Sequence, residues 1–510
     1  MLFNSTLFLF VFLPIVLGGF LALQRWNHGR VGIAWLLGAS LVFYAWGQPV
    51  FLLLLVGSVL GNFGIGLWIQ DAASPRAARI GLLLGVVLNL ALLALFKYAN
   101  FGIEIANQLG GTDFRVEAIA LPLAISFFTF QQISYLADTA QGRVAERSLL
   151  HYAVFITFFP KLVAGPIVHH DEMLDQLHSL SERRVGARDV AVGLSLFAMG
   201  LFKKVVLADA LASRTGGLFD LAAAGVELSF FEAWTAALGF SFQVYFDFSG
   251  YTDMALGLAC CFGIRLPLNF HSPYKATNIS EFWRRWHITL TRWLRLYLFL
   301  PISRRILRRG GERWEPAAIA IAQLITMGLC GLWHGGAWNF VLWGLLHGLL
   351  LVAYNGWDFA KRKLGLAGRL PAGLAIVLAR ATLLAVLAAT FVVFRAPELG
   401  VAADMLYTMS GADGIFSHAA GARFTATIGY RGILLLALLL SIVWVAPSSH
   451  EILGNDEPAL DFHRFVRKPL AARWLWRPTT AWAVVWLACL LPALYWILIE
   501  GYEDFIYQFF

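Results

Sequence analysis

Charged side chains are scarce in this chain. Asp, Glu, Lys and Arg together make up 14% of its 510 residues, while hydrophobic residues make up 59%. Ordinary soluble domains carry roughly 25% charged residues. A soluble fold of this length could not hide so much apolar surface and still cover itself with charge. The mean hydropathy of +0.69 agrees. Disordered, coiled-coil and nucleic-acid-binding classes are excluded. Cysteine is scarce too: Cys260, Cys261, Cys330 and Cys489 all lie in or beside apolar runs. Their spacing fits neither a zinc site nor a disulfide frame, so they read as small core hydrophobes. Long polar stretches are also missing. The longest are too short for a separate soluble domain, and no internal repeat is visible.

What is abundant is apolar sequence. Runs that span a bilayer, or nearly so, fall at about 6–24, 31–47, 50–69, 80–97, 118–137, 149–164, 189–208, 229–248, 287–303, 317–334, 338–356, 372–394, 430–446 and 481–499. Several fall short of the roughly 20 residues of a straight span, which suits re-entrant or interfacial helices. The expectation is an all-α polytopic membrane protein with about 11–14 membrane helices, forming one membrane-embedded domain over 1–510. The N-terminal run lacks a positive flank and a small-residue cleavage site, so it reads as a first span and not a signal peptide. Arg25, His28 and Arg30 follow it, and Arg76 and Arg79 lie between the third and fourth runs. Positive loops stay in the cytoplasm, which puts the N-terminus outside. The stretch 447–480, with Arg464, Arg467, Lys468, Arg473 and Arg477, also reads as cytoplasmic, and 397–428 as extracytoplasmic. The net charge of +8 is concentrated: residues 281–315 hold nine arginines against three glutamates.

Polar groups inside spans are costly unless buried and paired, so they flag function. In Gly331-Leu332-Trp333-His334-Gly335-Gly336, His334 stands at the junction of two apolar runs. It either reaches a substrate in a cavity or hydrogen-bonds a neighbouring helix. His347, in the middle of the next run, fits the second role better. In Glu281–Trp293, helical spacing would put Trp283, His287 and Thr291 on one face and Arg284, Ile288, Arg292 and Arg295 on another. Such a helix anchors at a membrane interface, or its arginines hold a phosphate-bearing donor. Asp247 and Asp253 lie six residues apart among hydroxyls in an apolar context. They serve a structural polar network, acid/base work, a cation, or the orientation of a histidine. Around Lys161, Pro160, Gly165 and Pro166 break a run, as a re-entrant loop or as simple termination at the surface. His169-His170-Asp171 is a poor metal site, because adjacent helical histidines point about 100° apart. No metal is expected.

Together these motifs resemble the membrane-bound O-acyltransferase family, most of all the bacterial branch with the alginate O-acetyltransferase and the teichoic-acid D-alanyl transferase. The matching stretches are 160–167, 245–253, Asn269-Phe270-His271-Ser272-Pro273-Tyr274, 278–287 and 331–335, in a motif-bearing core of about 120–340. The stretch Phe391–Ala396, followed by a helix-like segment to Met409, resembles the alginate branch in particular. The resemblance implies a helical bundle with a central funnel or tunnel in a bacterial inner membrane. It implies His334 and His287 as the catalytic pair; Asn269, Trp333, Asp247 and Asp253 are candidate supporting residues, with Asp247 or Asp253 as the one that fixes a histidine tautomer. In the C-terminal part, 371–510, the aromatic tail Phe505–Phe510 resembles a C-terminal tyrosine motif of the bacterial members. Tyr507 is then a candidate acyl relay, or else an aromatic belt residue at the membrane surface.

Acyl transfer from a thioester to a hydroxyl needs a base, an oxyanion stabiliser and exclusion of water. A histidine titrates near 6.5 and suits the first role. The expected donor is acetyl-CoA or an acyl carrier thioester on the cytoplasmic side, with Arg284, Arg285 and Arg292 as candidate donor-binding residues. No bound cofactor is expected. The expected partners are the lipid bilayer, extracytoplasmic acetyltransferases and a polysaccharide such as alginate. The competing class is a transporter or flippase, which also uses intramembrane histidines and broken helices. Against it, no pair of related halves is visible.

Overall fold

The computed structural model describes residues 1–26, 29–114, 120–180, 184–365, 371–412, 414–415, 429–466, 470–501 and 503–506. His28, Arg467, Lys468 and Tyr507, named above, lie outside the described residues. Among the described residues the regular structure is helical, apart from an isolated β-bridge between Pro267 and Leu460. Eight of these helices are long and apolar enough to cross a membrane: Phe8–Arg25, Val50–Gln70, Pro75–Gly110, Ala187–Ala223, Glu312–His334, Trp338–Lys363, Ala372–Arg395 and Thr480–Ile499. Three shorter apolar helices join them: Gly29–Ala45, Leu399–Met409 and Gly429–Val445. The chain is a multi-pass helical membrane protein.

Apolar runs find these helices better than they find their ends. The run at 229–248 is the first part of a 32-residue helix, Phe230–Cys261. Its polar second half stays helical because Ser249, Thr252 and Asp253 are buried against protein. The run at 118–137 becomes helical only from Ile125. The run at 149–164 breaks after Leu149–Thr157, at Phe158, and resumes as the short Phe159–Leu162. A continuous helix would drive the Pro160 ring into the carbonyl one turn back. The run at 287–303 is likewise divided: Ile288–Leu294 passes through a π-helical turn, Arg295–Phe299, into Leu300–Gly310, which carries Pro301 at its start.

The chain packs into two compact units. The first comprises Met1–Val205, Phe248–Leu268 and the described residues of Ser449–Phe509. Phe3, Phe8, Phe12, Phe43 and Phe159 form an aromatic chain in its core, with successive ring centroids 5.0–5.8 Å apart. Polar groups inside it pair with one another: Asn89 Nδ2 donates to Asn62 Oδ1 at 2.6 Å, and Asn62 Nδ2 donates to Gln132 Oε1 at 3.0 Å. Helices approach closely where glycines meet. A Cβ on Gly200 would stand 2.5 Å from the Gly250 carbonyl oxygen.

The second unit comprises Val206–Asp247 and Asn269–Ser448. Its centre is a helical hairpin, Glu315–His334 and Trp338–Lys363, turned by residues 335–337. Gly331 and Gly344 let the two helices touch: a Cβ on Gly344 would lie 3.0 Å from Gly331 Cα, and one on Gly331 would collide with the Phe340 carbonyl. The helix Ala372–Arg395 is tied to this hairpin by Asn339 Nδ2, which donates to the Ala396 carbonyl at 3.0 Å.

Candidate functional site

The hairpin determines where His334 sits. It is the last residue of Glu315–His334, and Gly335 takes the chain into an extended conformation. The imidazole is buried in an aromatic box. Its centroid lies 4.9 Å from Trp333, 5.2 Å from Trp343 and 5.3 Å from Phe394, all edge-on. Such walls shield the imidazole from water, and its nitrogens share the box with the buried indole N–H groups of Trp333 and Trp343.

His287 reaches the same cluster by another route. Helical spacing put Trp283, His287 and Thr291 on one face, but no single helix carries them. Ile279–Trp283 ends, and His287 adopts a left-handed conformation (φ 42°, ψ 54°) before Ile288–Leu294 begins. The interfacial-anchor helix is therefore replaced by a tight turn that buries His287. Histidine tolerates this region better than most residues, but holding it there requires support from the surroundings. Asn269 supplies that support. Its carbonyl accepts the Ile288 N–H at 2.9 Å, and its side-chain Oδ1 accepts from the Thr289 N–H at 3.3 Å and the Thr289 hydroxyl at 2.9 Å. A backbone N–H only donates, so the amide orientation is determined. His287 Nδ1, 3.1 Å from the same Oδ1, must then be the donor. In the neutral ring Nε2 is left as the basic nitrogen. The His287 and Trp333 centroids are 6.2 Å apart, so the Trp333 indole is a common neighbour of both histidines.

The turn that carries His287 is built by capping. Asn278 Oδ1 accepts the Glu281 N–H at 2.8 Å, and Glu281 Oε2 accepts from the Thr277 N–H at 2.9 Å. Arg285 donates to Glu281 Oε1 at 2.8 Å and to the His271 carbonyl at 3.3 Å. Burial alone would raise the Glu281 carboxyl. The Thr277 hydrogen bonds and Arg285 outweigh it and hold the group below its ordinary value. Arg285 thus has a structural task, whereas Arg284 is exposed and Arg292 half-buried.

The remaining candidates divide. His347 is engaged at both ring nitrogens, by Trp283 Nε1 at 3.3 Å and Thr390 Oγ1 at 3.1 Å, as a helix-bridging histidine should be. Asp247 is buried in the second unit. Asp253 belongs to the first, where it meets Lys203 Nζ at 2.6 Å, the Ser449 hydroxyl at 2.5 Å and His450 Nε2 at 3.0 Å. Six residues along a helix leave the two carboxylates about 120° apart, so they do not act as a pair. Sequence reasoning missed His450 and Lys203. Lys161 is fully buried, with Nζ donating to Gln131 Oε1 at 2.7 Å, so its break lies inside the protein. His170 Nδ1 stands 3.5 Å from Asp138, and burial lowers its pKa despite that carboxylate. The cysteines are free: Cys260, Cys261 and Cys330 are buried and Cys489 half-buried. Before Tyr507 the chain is fastened within the first unit. Phe505 is buried against Tyr251 at 4.5 Å, and Lys204 Nζ donates to the Asp504 carbonyl at 3.1 Å.

Comparison with known proteins gives this geometry a context. The model of the membrane-bound O-acyltransferase family matches residues 82–392, which include Asn269, His287 and His334. The peptidoglycan O-acetyltransferase of Helicobacter pylori is 40% identical over 441 residues, 81% of each chain. The probable alginate O-acetylase AlgI of Pseudomonas aeruginosa is 41% identical over 358 residues, 69% of this chain and 65% of that one. The teichoic acid D-alanyltransferase of Streptococcus thermophilus is 28% identical over 251 residues, 47% of this chain and 58% of that one. A match over most of the chain, with a buried two-histidine cluster inside it, leads to one conclusion: the chain belongs to the membrane-bound O-acyltransferase family and is an acyltransferase.

Proposed function

We propose that the protein takes an acetyl group from a cytoplasmic thioester, acetyl-CoA or an acyl carrier, and moves it across the bacterial inner membrane for O-acetylation of an extracytoplasmic polysaccharide such as alginate or peptidoglycan. The N-terminus is then extracytoplasmic, and the central funnel implied by the resemblance joins donor to acceptor. The observation that carries this reading is the placement of His334 and His287 around Trp333 in a buried aromatic box. His334 takes the proton of the acceptor hydroxyl. The oxygen attacks the thioester carbonyl, and a tetrahedral oxyanion forms. His287, in its supported turn, orients the thioester or stabilises the developing charge. The C–S bond then breaks and the proton passes to the sulfur, which gives the acceptor's ester and a free thiol. Exposed Arg284 and half-buried Arg292 are the candidates for donor phosphates. Tyr507, a serine of a partner acetyltransferase, or the glycan itself supplies the acceptor hydroxyl.

The test is incubation of the purified protein with radiolabelled acetyl-CoA. A covalent label present in the wild type and lost in both His334→Ala and Tyr507→Phe supports transfer through the tail. A label that needs His334 but survives Tyr507→Phe removes the relay and keeps the enzyme. Neither label nor thiol release, with either donor, contradicts the proposal.

A further inference from the structure

A second polar cluster lies in the first unit, apart from the chemistry above. Glu146 is in the loop between the helices Ile125–Ala140 and Leu149–Thr157, His151 in the first turn of Leu149–Thr157, and His178 in the last turn of His170–Leu180. One ligand-type atom from each lies within 4.8 Å of the others. Glu146 is buried and held in place: its Oε1 accepts the Ser148 N–H at 2.6 Å, and its carbonyl accepts Gln70 Nε2 at 3.1 Å. Its Oε2 is directed to His178 Nε2 at 2.9 Å. The two imidazoles stand nearly perpendicular, with centroids 4.3 Å apart. Among the described residues the buried Nδ1 of His151 has no hydrogen-bond partner. Burying an imidazole nitrogen beside another imidazole and a carboxylate, without using it, wastes polar contacts that a bound cation would satisfy.

We propose that Glu146, His151 and His178 bind one divalent cation of the zinc class. Two imidazoles and a carboxylate are the borderline ligands such ions prefer. Around a tetrahedral ion with bonds of about 2.1 Å, ligand atoms stand about 3.4 Å apart. The cluster, with its atoms within 4.8 Å of one another, has to close by about 1 Å to reach that spacing. His178 is half-exposed, so the site opens to solvent, which provides a fourth ligand and an entry path. The ion has a structural task. His151 and His178 bracket the segment 152–177, which contains the broken helix and the buried Lys161. A cation bridging them staples the two ends of that segment across the Glu146 loop.

The test uses full-length protein purified in detergent without a histidine tag. Bound metals are quantified after equilibration with zinc in a chelator-buffered solution, for wild type, His151→Ala, His178→Ala and His178→Gln. One equivalent in the wild type, lost in all three variants, supports the site. So does a melting temperature that rises with zinc in the wild type alone. His178→Gln replaces a half-exposed side chain, so a monodisperse size-exclusion peak separates lost binding from misfolding. Trace metal in the wild type, or equal zinc in wild type and folded variants, overturns the proposal.

Discussion

At the scale of single residues, the two histidines are neighbours through their supports. Asn269 is the clearest of these, because one side-chain oxygen accepts from Thr289 and from His287 Nδ1. Asn269→Leu removes the acceptor and should lower kcat by about 10²-fold, within the range general acid/base roles command, with little change in KM. Asn269→Asp keeps an acceptor and should recover most of the loss. Steady-state kinetics on both variants separates positioning from a general packing defect, which would spare neither. His334 and Trp333 were legible in the sequence because a glycine-flanked Trp-His pair at the end of an apolar run is expensive without a use. The partnership of Asn269 with His287 was not. It depends on a left-handed residue at 287, which periodicity reads as helix. Likewise, nothing local joins Asp253 to His450, since their contact crosses nearly two hundred residues of chain.

At the scale of elements, the hairpin of Glu315–His334 and Trp338–Lys363 aims His334, and its close approach depends on Gly331 and Gly344. Gly331→Val forces a side chain onto the Phe340 carbonyl. It should destabilise the protein by about 1–3 kcal/mol, as overpacking does, and abolish turnover with it. Gly356→Ala on the other helix of the hairpin, Trp338–Lys363, meets open space and should leave both unchanged. Thermal unfolding of the purified variants checks the pair. The turn of 277–285 makes a pH prediction. The Glu281 carboxyl lies below its unfolded value of about 4.3, so its stabilisation is fully present above that pH. The contribution is lost as pH falls through the lower, folded value. Glu281→Gln should flatten that acid limb of the melting curve. The apolar runs found nearly all the long helices. They misjudged ends where proline interrupts a run, at Pro160, or where buried polar residues prolong a helix, at Ser249–Asp253.

At the scale of the whole molecule, the scarcity of charge makes each buried charge consequential. Asp253 faces Lys203, Ser449 and His450 in the first unit. Asp253→Ala leaves Lys203 without its counter-ion and should cost about 3–5 kcal/mol, read as a lower melting temperature and reduced membrane yield. Lys203→Met with Asp253→Ala should recover part of it. The match across 82–392 makes the chain an acyltransferase, while the aromatic tail at Tyr507 lies beyond that match. The most direct measurement is free-thiol release from acetyl-CoA by purified wild-type and His334→Ala protein at equal concentration. Steady release by the wild type and a loss of about 10²–10⁴-fold in the variant are expected. Release by a folded His334→Ala protein at the wild-type rate would contradict the role of His334.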